Sequence, residues 1–396
     1  MNNLPLALAG ITVVAIEQAV AAPFATRQLA DAGARIIKVE RPTVGDFARG
    51  YDERVNGLAS YFVWLNRSKE SLSLDLKAPA ALPIVHELLV EADVFIQNLA
   101  PGAAARMGLS ADHLRARYPQ LIVCDVSGYG TSGPYVDKKA YDLLVQCETG
   151  VLSVTGTPEH AVKTGISVAD IAAGMYAYSS ILTALFHRER TGEAVAIEVS
   201  LFDALTEWMS HPMYYTLYSG EPPARTGSAH ATVAPYGSYA VGDGGTVQFG
   251  IQNEREWARF CESVLGQPTL ATDARFVSNK ARVEHRDQLT HAIETAFRPL
   301  GTDEAIRRLD AAHIANARQN DVAGLIAHPQ LAERDRWRTV DSPVGPLAAL
   351  RPPAIMHGLG ERFDPIPAVG EHTDVILMAL GRTADEIAAL REAGAV

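Results

Sequence analysis

Residues 11–39, ITVVAIEQAVAAPFATRQLADAGARIIKV, read as an unbroken apolar run, a mixed stretch ended by Gly33, and a second apolar run. Continuous apolar runs are the mark of strands buried on both faces, and a helical stretch between two of them predicts a βαβ unit with parallel strands. The same grammar continues with a helix over 79–91, the strand ADVFIQN, a helix opening at Ser110 and the strand LIVCDVS. Ser110 is a good N-cap for ADHLRARY, because its hydroxyl can accept from a free N–H of the first turn. A long helix over about 168–187, the strand AVAIEVS and a helix from 201 extend the layer. Alternation of this kind predicts an α/β fold with ligands near the carboxyl ends of the strands.

The pattern changes after EPPARTGS at 220–227, a Pro/Gly-rich break. Strands within 236–251 precede the helical stretches NEREWARFCESVL, RVEHRDQLTHAIETAF and TDEAIRRLDAAH, which reads as a second, smaller α+β domain. From about 326 the chain is irregular and Pro-rich. It closes with HTDVILMALG and TADEIAALREAG, the latter opening on a Thr383–Glu386 capping box.

Composition narrows the class. A chain of 396 residues with 47% hydrophobic and 20% charged side chains has ample core for two or three domains. Three widely spaced cysteines, Cys124, Cys147 and Cys261, form no disulfide framework, so a reducing cytoplasm is expected. The opening MNNLPLALAG lacks the basic, then apolar, layout of a signal peptide. The apolar run Ile171–Phe186 is 16 residues long, short of the ~20 that span a bilayer, and predicts a buried helix rather than a membrane partner. The net charge, 35 − 46 = −11, argues against a nucleic-acid partner. That charge is unevenly spread: residues 1–140 hold 14 basic and 14 acidic side chains, leaving 21 − 32 = −11 for the remainder. The first third is where an anion is most easily received.

Several motifs carry little. Gly128-Tyr129-Gly130-Thr131-Ser132-Gly133 matches a dinucleotide fingerprint, but Pro134 and YVDKKAYD follow it where a helix is needed, and the first βα turn has no glycine. A glycine-rich turn is the better identity, and no nucleotide redox cofactor is expected. Gly165-Ile166-Ser167-Val168-Ala169 lacks the last glycine of a hydrolase elbow, and the 12 histidines show no metal-binding spacing, so no metal is expected. Asp170 says more. It stands at the start of an apolar helix, as a capping carboxylate or as a partly desolvated nucleophile that the helix dipole keeps ionised. Tyr141-Asp142, after Lys138-Lys139, is a second polar knot entering an apolar segment. Lys38, Arg41, Arg49, Arg67, Lys69, Lys77, Arg106, Lys138 and Lys139 are single surface charges by default, yet several fall just past predicted strand ends, as a polyphosphate-bearing cofactor requires.

Through GARIIKVERPTVGDFAR, LNRSKESLSLDLK, NLAPGAAARMGL, SGYGTSGPY, GISVADIAAGMYAY, RTGEAVAIEVSLFDAL and HTDVILMALG the chain resembles the class III CoA-transferases over essentially its whole length. The resemblance implies a large Rossmann-like domain built from both chain ends, with a smaller α+β domain between, and two subunits interlocked as a homodimer. On that layout residues 1–200 form the large CoA-binding domain, 201–227 a linker, 228–325 the small domain, 326–350 a return linker and 351–396 the C-terminal part of the large domain. It also implies coenzyme A, as an acyl-CoA substrate, held by Arg41, Lys77, Asn98, Leu99, Arg106 and Lys139. Asp170 matches the family's catalytic aspartate, and Tyr141 and Asp142 its active-site pair. Where formyl-CoA transferases carry a glycine-rich loop that closes over the intermediate, this chain has Gly227-Ser228-Ala229-His230-Ala231, a departure that argues against oxalate or formate as substrate while leaving 227–231 as the candidate lid. His230, Gln252, Asn253 and Arg255 are candidates for the distal carboxylate of a substrate.

Within the family, QNLAPGAAARMGL, KKAYDLLVQCETG, SLFDALTEWM, HATVAPYGSY and GIQNEREW resemble transferases of short C4–C5 dicarboxylates. These take CoA from succinyl-CoA to itaconate, citramalate or malate, or move it within mesaconyl-CoA. An α-methylacyl-CoA racemase is the other enzyme class implied; Tyr141, where the racemases carry a histidine, has an ordinary pKa of ~10 and is a poor proton-exchange group near neutrality.

Overall fold

A computed structural model describes residues 4–396. Contacts divide them into two units: the described residues up to Gly150 with Thr164–Ser210 and Asp335–Val396, and Val151–Lys163 with His211–Arg334.

The first unit is built on β1 (Thr12–Ile16), β2 (Arg35–Glu40), β3 (Lys69–Ser73), β4 (Val94–Gln97), β5 (Ile122–Ser127) and β6 (Ala196–Ser200). They form one sheet in the order β3-β2-β1-β4-β5-β6, every pair parallel. The order reverses between β1 and β4, so a crevice opens there at the carboxyl edge. Val14, Ile16, Ile37, Val39, Phe95 and Val123 are fully buried and pack with Ile84, Val85, Leu88 and the terminal helices' Ile376, Leu377 and Ile387, which is why both chain ends belong to this unit. The predicted capping box is formed: the Thr383 hydroxyl accepts from Glu386 N–H and the Glu386 side chain accepts from Thr383 N–H.

The long helix runs Val168–Thr191, past the predicted end, and stops at Gly192 in the left-handed region (φ 78°). At 24 residues it is long and apolar enough to cross a membrane. It is not the wholly buried helix expected: Ala169, Ala172, Ala173, Gly174, Ala177, Ile181 and Ala184 form its buried face, while Met175 and Phe186 are exposed. That small-residue face lies on the crossover helix Ala21–Asp31. At Gly174 a Cβ would come within 2.6 Å of the Ala21 carbonyl oxygen, so only glycine permits the approach. Both helices therefore begin at the carboxyl edge of the sheet.

In the second unit β7 (Tyr236–Ala240), β8 (Thr246–Gly250) and β9 (Ala315–Arg318) form an antiparallel sheet. Its core is aromatic: Tyr239, Phe249, Trp257, Phe260, Phe276 and Phe297. Residues 151–163, placed in the large domain by the sequence, group here because Gly227 N–H donates to Gly156 O and the Arg225 guanidinium to the carbonyls of Thr157 and Pro158. The expected linker from 201 is largely helical, over Leu201–Trp208 and Ser210–Ser219.

Candidate active site

The loop that leaves β1 is fixed by ions from below. Glu17, Lys38, Lys69 and Asp46 are buried: Lys38 Nζ donates to Glu17 (3.2 Å) and Asp46 (2.6 Å), and Lys69 Nζ to Glu17 (2.7 Å). Burial works against the Glu17 charge, but the two ammonium groups outweigh it and hold its pKa at about 2. Asp46 Oδ1 accepts from Ala19 N–H, which holds Ala19 in the left-handed region (φ 62°). Asn98, at the end of β4, closes the loop from the other side: its Oδ1 accepts from Gln18 N–H and its Nδ2 donates to Gln18 O, both at 2.8 Å. This clamp spans the β1/β4 switch point, and the part Gln18 plays in it is not legible in the sequence, for it looks like any polar residue of a turn.

Around this clamp the expected CoA residues follow successive strand ends. Lys77 lies beyond β3, Arg41 immediately after β2, Asn98 and Leu99 after β4, and Lys139 in the loop after β5. At about 4.8 Å per strand these positions line one edge over some 20 Å. Arg41, Lys77, Arg106 and Lys139 are exposed, and Arg41 stacks on Phe47 at 4.6 Å while donating to Gly45 O. Leu99 N–H donates to Gln97 Oε1. Among the other basic residues of the cluster, Lys38, Arg67 and Lys69 are not surface charges but are buried in ion pairs, and Arg49 pairs with Glu40 at 2.7 Å. Lys138 is an exposed charge, as expected, and pairs with Glu148. The Gly128–Gly133 segment is a turn with no helix before Asp142, and Gly130 N–H donates to Ser127 Oγ.

Asp170 stands on the first turn of the long helix, one turn before Gly174 and on the same face. The helix receives no side-chain cap from Ser167. Asp142 serves instead: its Oδ1 accepts from Ala169 N–H (2.7 Å) and Asp170 N–H (3.3 Å), and its Oδ2 accepts from Gln146 Nε2 (2.6 Å). Gln146 is itself locked, since its Oε1 accepts from Thr164 N–H and Oγ1. The first-turn amides are thus capped by Asp142 rather than by Asp170. Burial, and then the Asp142 charge, raise the Asp170 pKa to about 7. Tyr51 belongs to this group: its phenol is pushed up by burial and by Asp46, Asp170 and Tyr141, and its ring meets Tyr61 edge-on at 5.7 Å. Tyr141 is 72% exposed and precedes the helix Asp142–Glu148. The structure thus brings together Asp170, Asp142, Tyr141 and Tyr51. The arrangement offers a carboxylate whose charge is poorly solvated and faces another negative group, which makes it basic and reactive once ionised.

The remaining candidates lie in the second unit. His230 stacks on Tyr236 (5.3 Å), its N–H donates to Tyr236 O and its carbonyl accepts from Arg286. Ser228 O accepts from Gln248 Nε2, and Ala229 O from Thr226 Oγ1. Gln252 is exposed, with its N–H donating to Glu256. Asn253 is the N-cap of the helix Glu254–Arg259, its side chain accepting from Glu256 N–H. The side chains of His230 and Asn253 therefore have local structural tasks, whereas Ser228, Ala229 and Gln252 are held through their backbones.

A profile of CoA-transferase family III matches residues 8–373. The chain is 34% identical over 390 residues to the succinate–glutarate CoA-transferase of Agrobacterium fabrum, covering 96% of this chain and 97% of that protein. It is 30% identical to the human succinyl-CoA:glutarate CoA-transferase, over 100% and 91% of the two chains, and 29% identical to the succinyl-CoA–D-citramalate CoA-transferase of Chloroflexus aurantiacus, over 98% and 97%. The crystal structure of a CAIB/BAIF family protein from Brucella suis shares the fold with a TM-score of 0.84 and 33% identity, covering 96% of this chain and all of that one. A carboxylate at the head of a helix, a parallel sheet with cations along its carboxyl edge, and a match over almost the entire length agree: the chain belongs to CoA-transferase family III, the class III CoA-transferases.

Proposed function

We propose that the protein moves CoA from succinyl-CoA to a second short dicarboxylate, with Asp170 as the nucleophile. The observation that carries the reading is the Asp170–Asp142 pair at the head of the long helix, one carboxylate raised to about 7 and the other bound to the helix amides. Ionised Asp170 attacks the thioester carbonyl, the C–S bond breaks, and an aspartyl–acyl anhydride and CoA thiolate form. The thiolate attacks the aspartyl carbonyl, releasing the donor acid and leaving an aspartyl-CoA thioester. The acceptor carboxylate repeats these steps in reverse order, so the energy of the thioester is carried over and Asp170 is regenerated. Arg41, Lys77, Arg106 and Lys139 would receive the CoA phosphates, with Asn98 and Leu99 beside the pantetheine. Ser228–His230 would shield the intermediates from water, and Gln252 and Asn253 would meet the distal carboxylate.

The relatives named for succinate, glutarate and citramalate support the dicarboxylate class. Glutarate therefore heads the acceptor panel, followed by itaconate, citramalate, malate and mesaconate, with mesaconyl-C1-CoA alone to detect intramolecular transfer. A homodimer, as the family resemblance implies, working in the cytoplasm, as the widely spaced cysteines suggest, completes the proposal. With succinyl-CoA as donor, Asp170→Ala should lower transfer at least about 10³-fold while CoA still binds. Hydroxylamine should trap a hydroxamate on Asp170 of the wild type. Substantial transfer by the variant, or a hydroxamate elsewhere, removes Asp170 as nucleophile; no transfer to any acid of the panel removes the substrate class.

A further inference from the structure

The first unit has a cavity of about 710 Å³ away from the strand carboxyl ends. Its floor is the last turns of the crossover helix, at Arg27, Gln28 and Asp31, together with Met175 and Tyr178 of the long helix. Its roof is the segment 351–361. The crossover helix runs from the carboxyl edge back to the start of β2, and Tyr178 lies eight residues beyond Asp170, roughly 12 Å along the helix axis. The cavity therefore opens at the far end of the layer from the Asp170 group.

Its two ends differ in chemistry. The walls are apolar, with Leu4, Met175, Ile355 and Met356 all exposed large hydrophobic side chains. The inner end holds a buried cation. Arg27 is 7% exposed; its Nη1 donates to Asp31 Oδ2 at 2.6 Å, and its buried Nε finds no acceptor among the described residues. Asp31 cannot neutralise it alone, because Arg67 also takes both Asp31 oxygens, each at 2.7 Å. Two guanidinium groups share one carboxylate and leave one positive charge uncompensated. The other acid of the lining, Glu361, is paired with Arg351 at 2.5 Å, and Arg351 also has Asp335 at 3.7 Å. A buried donor without an acceptor is costly, and the Arg27 side chain that carries it lines a space of the size that takes small organic ligands.

We propose that this cavity binds an amphipathic organic anion, its carboxylate on Arg27 and its apolar body along residues 352–359. The proposal is independent of the substrate reading above, since no residue of the cavity belongs to the Asp170 group. Decanoate is the probe, with decanol and decyltrimethylammonium as its uncharged and cationic counterparts, in calorimetric titration of the full chain. Decanoate should bind saturably, one per chain, and at least about tenfold more tightly than decanol; the cation should not bind. Saturating CoA should leave decanoate affinity unchanged. Arg27→Met should lose at least about tenfold in affinity. Because that change also disturbs the Asp31–Arg67 pair, Met356→Glu on the exposed lip gives a second reading: decanoate should weaken to a similar degree while CoA transfer is retained. Absence of saturable binding, equal affinity for decanol, displacement by CoA, or wild-type affinity in both variants would each overturn the proposal.

Discussion

Glu17 and Asp170 stand at the same edge of one sheet, each short of solvent and each beside a second carboxylate. Their proton affinities nevertheless move apart, to about 2 for Glu17 and about 7 for Asp170. Burial favours the protonated form of both, so burial does not distinguish them. The neighbours do. Glu17 has Lys38 and Lys69 within hydrogen-bond reach, whereas Asp170 has Asp142 and no ion-pair partner among the described residues. The first arrangement spends its charges on holding the β1 loop at Ala19; the second leaves a carboxylate in a surrounding that does not stabilise its charge. A site for covalent chemistry needs the second kind, set on a frame of the first.

The comparison breaks most severely at Lys38. Lys38→Met removes the cation shared by Glu17 and Asp46 and leaves two buried carboxylates to one Lys69, which burial already pulls down to about 8. Uncompensated buried charge of this kind costs about 3–5 kcal/mol, so a marked fall in denaturation midpoint is expected. The pH dependence identifies the cause. In the wild type the stability due to Glu17 is present above its ordinary 4.5 and is lost as pH falls through about 2. In Lys38→Met the Glu17 pKa rises, so that loss should begin at higher pH. A variant that melts as the wild type does at every pH would show that the ion cluster does not carry the loop.

The same contrast explains what could be read from the chain. The strands β1, β2, β4 and β5 were legible because each carries a run of buried apolar side chains, which in β2 (Ile36, Ile37, Val39) outweighs the buried Lys38 and Glu40. β3, KESLS, was not, because Lys69 and Ser71 point into the ion cluster and Ser71 Oγ donates to Glu40 at 2.5 Å; a strand whose buried face is ionic carries no apolar signature. Asp170 was visible as a carboxylate in an apolar stretch. Its environment was not, since the cap comes from Asp142, 28 residues earlier, and nothing local in the sequence marks that pairing. Arg67 and Lys69, read as surface charges, show the converse: a charge on an extended segment has no periodicity that distinguishes a buried partner from water.

A smaller effect is expected at Asp170 itself, in stability rather than turnover. Its folded pKa of about 7 lies above its ordinary 3.8, so wild-type stability declines as pH rises from about 4 and the full cost is present above 7. Asp170→Asn removes that cost while keeping the shape of the side chain. At pH 8 the variant should be more stable, by a gain of order 2 kcal/mol once solvent screening of its exposed part is allowed for, and the gain should vanish near pH 4. Catalytic groups held at the expense of stability behave in this way. Equal melting temperatures at pH 8 would mean that Asp170 is comfortably ionised and that the contrast with Glu17 is illusory.

Asp142→Asn tests the remaining half of the contrast with the least disturbance. The amide oxygen can still accept from Ala169 N–H, so the cap survives, but the side chain loses its charge and presents a donor to Gln146 Nε2, at a cost of about 1 kcal/mol. Asp170 then keeps its burial and loses the second cause of its raised pKa. The acid limb of kcat/KM for CoA transfer, expected near 7 in the wild type, should move to lower pH in the variant. Activity at pH 8 should fall at the same time, because the less basic carboxylate is the weaker nucleophile. An acid limb unmoved by Asp142→Asn would leave burial as the sole cause of the Asp170 shift, and would reduce Asp142 to the helix cap.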